Sequence, residues 1–332
     1  MKNIVAIAAG KGGVGKSMIT VNLALACREL GLSVGILDAD LHGPSIPRMI
    51  TESSPPQKKG DQLTPAKGLG LSFISLSHLH EGPALMRAPI ARNWLQIFSK
   101  QVVWGDLDLL LVDFPPGTGD IPLTLAQEMQ LTGALLVTTP QHIAVQDVSK
   151  CAQMFRAMDV PLLGVVENMS FLASNPSQKP FGDGGGELLA DAYQIDLLKK
   201  IPLDPMIAQA ADRGISLFSQ GNGQYFIDLA ERFLQKIEGA KRLVLEEYAQ
   251  NERGFFVRFS DGKSGMIALK KLQQACPCVR CREAKETLSP MRIDSNVRLR
   301  ELQPVGSFAF RCFFTSGCSQ GIYPHRLLRE LL

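Results

Sequence analysis

The chain has 332 residues, 35 Lys and Arg against 32 Asp and Glu, a formal net charge of +3 and 45% hydrophobic residues. Such a length allows two domains and a core that needs no disulfide staples, and the mixed charge argues for neither nucleic acid nor a membrane surface as partner. No apolar stretch approaches the ~20 residues of a membrane span, and Ile4–Ala8 is too short for a signal segment, so a cytoplasmic protein is expected.

From residue 1 to about 238, short β-rich apolar runs alternate with helical periods. The runs are Ile4–Ala8, Val34–Leu37, Leu109–Val112, Ala134–Thr138 and Leu162–Val166, and between the first two Ile19, Leu23, Ala26 and Leu30 share one helical face. Continuous apolar runs joined by helices predict a mostly parallel sheet covered on both faces, an α/β doubly wound domain. Thr51–Gly68, rich in Pro, Ser, Lys and Gly, reads as a mobile surface loop. Tyr225–Lys236 has the pattern of a closing amphipathic helix, and the charged stretch 239–251 reads as a linker. A small β-rich domain over 252–332 is expected next, with a strand at Phe255–Phe259, a turn at Asp261-Gly262 and a strand at Ser307–Phe314.

The first run leads into Gly10-Lys11-Gly12-Gly13-Val14-Gly15-Lys16-Ser17, which fits G-x-x-x-x-G-K-[ST] between a strand and a helix. Glycines allow the backbone to wrap phosphates with its N–H groups, and the helix N-terminus adds positive dipole. The segment therefore predicts a bound nucleoside triphosphate, read as ATP. Lys16 is expected on the β- and γ-phosphates and the Ser17 hydroxyl on Mg²⁺.

Each acidic candidate follows a strand, at the carboxyl edge where ligands bind in such folds. In Leu37-Asp38-Ala39-Asp40, Asp40 is the candidate for orienting the attacking water and Asp38 lies near the metal shell. Asp113, after Leu109–Val112, is expected to hold a Mg²⁺-bound water. The turn Pro115–Asp120 places Gly117 where a backbone N–H could sense the γ-phosphate.

With those residues in view, residues 1–238 resemble the Mrp family of iron–sulfur cluster carrier ATPases, relatives of the septum-positioning and chromosome-partitioning ATPases. The resemblance rests on Gly10–Ser17, LDADLHGPSIP from Leu37, LDLLLVDFPPGTGD from Leu107, TTPQHIAVQD from Thr138, ENMS from Glu167, FGDGGG from Phe181 and IPLDP from Ile201. It implies Mg-ATP binding, slow hydrolysis and a homodimer. Lys11 is similar to the extra lysine of the deviant Walker A loop, which crosses a dimer interface to the partner's nucleotide. The resemblance further implies that Asn168 reads the adenine edge with help from the backbone around Pro202, and that assembly or recipient proteins are partners. One departure stands out. Family carriers place C-x-x-C shortly after Asn-Met-Ser, and here Ser174 and Ser177 occupy those positions. A hydroxyl is a far poorer ligand for such a cluster than a thiolate.

Of seven cysteines, Cys27 and Cys151 lie in helical segments and are expected in the core; five lie between 276 and 318. Cys276-Pro277-Cys278-Val279-Arg280-Cys281 joins C-x-C to C-x-x-C, a spacing with few uses besides soft-metal ligation. Cys318 or His325 could complete a tetrahedral zinc site, an iron–sulfur cluster is the second reading, and no metal the third. The segment is similar to the N-terminal module of γ-butyrobetaine hydroxylase, through Phe259–Gly262, the CPCVRC run, Gly321-Ile322-Tyr323 and Leu327–Arg329. That resemblance implies zinc on three Cys and a downstream His, with Cys318 here replacing the His. Cys312 and the aromatics Phe255, Phe256, Phe308, Phe310 and Phe313 are expected in the core.

Overall fold

The computed structural model describes residues 2–40, 43–75, 78, 97–98, 101–240, 245–251, 254–278, 281, 284, 297–305 and 309–332. Their contacts divide the chain into two compact units, Met1–Lys241 and Arg242–Leu332.

The first unit runs β1 (Asn3–Ala8), α1 (Lys16–Glu29), β2 (Val34–Asp38), α2 (Ile46–Met49), β3 (Gln57–Lys59), β4 (Gln62–Thr64), β5 (Ala66–Gly68), β6 (Leu71–Ser75), β7 (Leu109–Asp113), α3 (Asp120–Glu128), β8 (Gly133–Thr138), α4 (His142–Ala157), β9 (Leu162–Glu167), α5 (Gly185–Tyr193), β10 (Leu197–Lys200), α6 (Pro205–Arg213) and α7 (Gln224–Gly239). Eight strands form one sheet in the order β10-β9-β8-β1-β7-β2-β6-β5, parallel except for β5 on β6. This is the doubly wound α/β fold read from the apolar runs. Val5, Ile7, Ile36, Leu109 and Leu111 share a core with α1 and α7, while Ala6, Leu110 and Val112, pointing the other way, are buried too. Both faces are therefore covered, which is why these strands carry continuous apolar runs. The chain moves to one side of β1 through β7, β2 and β6 and to the other through β8, β9 and β10, so the carboxyl end of β1 opens at the reversal point where such folds hold ligands.

Three sequence expectations are corrected. Helix α1 buries more than the one face of Ile19, Leu23 and Ala26: Thr20 to Cys27 are all buried, because the helix lies under α7 as well as on the sheet, while Leu30 is exposed at the C-cap. Thr51–Gly68 is not a structureless loop. It holds the β3–β4 hairpin and the edge strand β5, with Leu63 and Ala66 buried. Three-residue strands that bury at most two side chains each are too brief to show a period in sequence. The stretch 239–251 is not a linker throughout, since its last seven residues are a strand of the second unit.

The second unit comprises β11 (Leu245–Asn251), β12 (Gly254–Phe259), β13 (Ser264–Ala268), α8 (Leu269–Gln274), β14 (Leu299–Val305), β15 (Ala309–Phe314), β16 (Ile322–Pro324) and α9 (His325–Glu330). Two antiparallel three-stranded sheets, β11-β12-β13 and β14-β15-β16, enclose a core containing Phe255, Val257, Ile267, Phe310, Cys312 and Tyr323. The turn at Asp261-Gly262 closes the β12–β13 hairpin, with Gly262 at φ 83°. Phe256 and Phe313 are half-buried; Ser307 and Phe308 lie outside the described residues.

Candidate functional site

The loop between β1 and α1 is held by its neighbours. Gly15 has φ 85°, and a Cβ there would come within 2.2 Å of Asn168 Nδ2. A Cβ on Gly10 would meet the backbone of Asp147 at 2.1 Å, so α4 packs directly against the loop's first turn. Glycine at both positions is a steric requirement. Asn168, at the end of β9, donates from Nδ2 to the Val14 carbonyl at 2.8 Å, while its buried Oδ1 has no partner among the described residues. Gly117 comes to the loop from β7, its N–H donating to the Ala9 carbonyl at 3.1 Å. Buried Pro202 follows Ile201, which exchanges backbone hydrogen bonds with Glu167 and Ser170 on either side of Asn168 and Met169.

Strands β2 and β7 pair Asp38 opposite Asp113, and both carboxyls are wholly buried. Asp113 Oδ2 accepts from Ser17 Oγ at 2.6 Å, and its Oδ1 accepts from Thr20 Oγ1 at 2.9 Å. Lys16, itself buried, brings Nζ to 2.8 Å from Asp113 Oδ1 and 3.7 Å from Asp40 Oδ2, an ion contact without hydrogen-bond alignment. Asp38 accepts from Ser75 Oγ at 3.0 Å and from the N–H groups of Asp40 and Ile46. Lys11 is half-buried on the loop, and its ammonium makes no ion pair among the described residues. Thr20 and Ser75 were not legible as site residues. Thr20 lies one helical turn past Lys16, and Ser75 ends β6 beside β2, a pairing that only the sheet order reveals.

Three carboxylates face one lysine here, with the Ser17 hydroxyl beside them. Such a set of hard oxygen donors with excess negative charge fits Mg²⁺. The crowding shows in Asp38, whose carboxyl is pushed up to about 7 by burial first and by the charge of Asp113 second, against the pull of Lys16, Ser75 and the Asp40 N–H. A carboxyl raised above its unfolded pKa stabilises the fold fully below the unfolded value and loses that contribution as pH rises through the folded one. The nucleotide-free protein is therefore expected to lose stability between about pH 4 and about pH 7. Asp183, held at about 2 by its bonds to Lys179 and Lys200, acts with the opposite sign but at lower pH. Thermal denaturation across that window should show a falling midpoint that flattens in Asp38→Asn. A slope unchanged by that substitution contradicts the assignment.

In the second unit, Cys276, Cys278, Cys281 and Cys318 bring their sulfurs within 4.8 Å of one another. Cys276 to Cys281 follow α8; Cys318 sits on the β15–β16 connection, which Gln273 holds by donating to the Ser316 carbonyl. Cys318 Sγ is 3.7 Å from Cys276 Sγ and 3.5 Å from Cys278 Sγ. Zinc–sulfur bonds of ~2.3 Å set tetrahedral edges of about 3.8 Å, so these four thiols fit one tetrahedral ion. A cluster would attach its thiolates to different irons and spread them further. Burial pushes the Cys278 thiol up, but hydrogen bonds from Cys281, Cys318 and Cys276 outweigh it and bring the value down to about 7, whereas burial drives Cys281 upward. His325, the other candidate ligand, instead packs its ring on Phe310 at 5.7 Å. Cys27, Cys151 and Cys312 are buried and are not among these four, although Cys312 shares the core with Cys276 and Cys281. Ser174 and Ser177 are exposed on the loop after β9, and Ser177 Oγ donates to Asn175 Oδ1 at 2.7 Å.

The comparisons agree with this geometry. The ParA family model described as NUBPL iron-transfer P-loop NTPase matches residues 1–238. A second, γ-butyrobetaine hydroxylase-like N-terminal, matches residues 246–329. An iron–sulfur cluster carrier protein from Haemophilus influenzae is 42% identical over 243 residues, covering 70% of this chain and 66% of that protein. One of the same name from Escherichia coli is 45% identical over 221 residues, covering 64% and 60%. This chain thus spans less than two thirds of the length of these two relatives. A nucleotide-binding protein from Archaeoglobus fulgidus, solved in complex with ADP, superposes with a TM-score of 0.59 at 35% identity, covering 70% of this chain and 91% of that one. On the strength of the match over residues 1–238, the chain belongs to the ParA family of P-loop NTPases, among its NUBPL iron-transfer proteins.

Proposed function

We propose that this chain is a Mg-ATP-binding, slowly hydrolysing homodimer that serves iron–sulfur cluster assembly or delivery. The observation that carries the ATP part is the set of buried Lys16 and Asp113 with half-buried Ser17 and Asp40 at the end of β1, β7 and β2. The backbone N–H groups of Gly12 to Ser17 cradle the phosphates. Lys16 leaves its carboxylate partners for the β- and γ-phosphates, Ser17 and Asp113 hold the magnesium shell, and Asp40 orients the attacking water. A magnesium ion held by Ser17 and Asp113 would supply positive charge to offset the charge that develops on the phosphate in transfer. Asn168 has an amide oxygen ready to accept from the adenine amino group, and the backbone at Pro202 lines the same edge.

Lys11, with no ion pair among the described residues, acts across the dimer on the partner's nucleotide. Lys11→Ala is expected to cut turnover by about 100-fold while leaving ATP affinity within a few-fold, since a cation at the γ-phosphate acts mainly on the transition state. Unchanged turnover in a single-cycle assay removes the trans role.

The cargo part rests on the relatives' names and is weakened by Ser174 and Ser177. That departure favours a second reading, an ATP-driven scaffold whose C-terminal unit carries one structural zinc ion and binds a partner. Anaerobic reconstitution with iron and sulfide, with optical spectra and elemental analysis of wild type and Cys278→Ser, separates the two. A cluster spectrum lost in Cys278→Ser supports cargo on the second unit. Zinc at one per chain with no cluster uptake supports the scaffold.

A further inference from the structure

Two buried polar atoms of the second unit, the hydroxyls of Ser316 and Tyr323, lack the hydrogen bond that a native core normally supplies. Tyr323 in β16 is wholly buried, yet its hydroxyl has no hydrogen-bond partner among the described residues. Native interiors rarely leave such a group unpaired. Beside it lies a thiol of the four-cysteine group. A Cβ built on Gly321 would sit 2.7 Å from Cys276 Sγ and 3.0 Å from Tyr323 Cε2, the ring carbon next to the one bearing the hydroxyl. The absence of a side chain at Gly321 lets the ring edge and the sulfur close on one another.

A neutral thiol is a weak acceptor, whereas a thiolate is a strong one, and an ion can be held only by the thiolate. The hydroxyl is thus unmatched to Cys276 as a thiol and matched to it as a metal ligand. We propose that Tyr323 is a positioning residue of the four-cysteine centre, its hydroxyl donating to the Cys276 thiolate that forms when a soft divalent cation binds. This rests on the reading of those cysteines as an ion site. Hydrogen bonds from outside the ligand shell commonly account for 10- to 100-fold in metal affinity.

Tyr323→Phe removes the hydroxyl and keeps the ring. In the full chain it is expected to weaken Zn²⁺ binding about 10-fold or more, measured by competition with a chelator. The metal-free protein should be no less stable than wild type, because among the described residues the deleted hydroxyl has at most the weak acceptor Cys276 thiol. With Co²⁺ in place of zinc, the thiolate-to-metal charge-transfer band should move to lower energy, since a sulfur relieved of its donor gives up charge more easily. A residue that merely packs would lower metal-free stability and leave the cobalt band in place, and that pattern overturns the proposal. Equal affinity and identical spectra in the two proteins overturn it as well. Wild type that takes up neither Zn²⁺ nor Co²⁺ refutes the ion site itself.

Discussion

Lys16→Ala is expected to abolish nucleotide binding and to lower turnover by about 100-fold or more, the order of loss seen when one charge-stabilising donor is removed from a preorganised site. It should also destabilise the nucleotide-free protein. Lys16 is the cation beside the wholly buried Asp113, 2.8 Å away, and Asp38 lies opposite on the next strand. Removing one partner of a buried ion pair costs about 3 kcal/mol or more, because the remaining charge keeps its desolvation penalty. The hydroxyls of Ser17 and Thr20 still donate to Asp113 and hold the loss near the lower end. Equilibrium denaturation and an ATPase assay read the two effects separately. A variant that stays as stable as wild type and binds Mg-ATP normally would show that Lys16 does neither job. Lys11→Ala differs in kind, since among the described residues that lysine supports no buried carboxylate.

Removing the ion from the second unit, or replacing Cys281 with serine, should unfold that unit before the first. The unit is small, its two sheets are three strands each, and its core runs into Cys276 and Cys281, both buried. Domains of this size rarely bury enough apolar surface to be secure alone, and a closed four-ligand site adds folding energy directly. A loss of ~3 kcal/mol corresponds to a fall of about 10–20 °C in the melting midpoint of a domain this small. Calorimetry of the full chain with and without a chelator should then show two transitions, of which the lower moves and the upper does not. A single transition insensitive to chelator and to Cys281→Ser would mean that these thiols hold no stabilising ion.

Strands β1, β2, β7, β8 and β9 were legible because both of their faces are buried, which writes an unbroken apolar run into the sequence, whereas β6 and β10 were not read. The phosphate loop was legible because its glycines are sterically required: at Gly15 and Gly10 any Cβ collides with Asn168 or with α4. The edge of the sheet was not. Strands β3 to β5 span three residues each, β3 wholly exposed and β4 and β5 alternating exposed and buried positions, below the length at which periodicity speaks. Ser75 and Thr20 escaped notice for another reason: a serine at a strand end and a threonine inside a helix are common, and only the pairing of β2 with β6 and β7 brings them to Asp38 and Asp113. In the second unit the CPCVRC run pointed to a soft-metal site and the resemblance added Cys318 to it, while how Cys318 reaches the other cysteines shows only in the fold, where Gln273 of α8 ties down the β15–β16 connection.

The account depends on a triphosphate held by the amides of Gly12–Ser17 and the ammonium of Lys16. Calorimetric titration of the folded full chain with Mg-ATP tests it most directly. Saturable binding at one nucleotide per chain, lost in Lys16→Ala, is the predicted result. No heat and no protection of the first unit against thermal unfolding, with magnesium present, would contradict it.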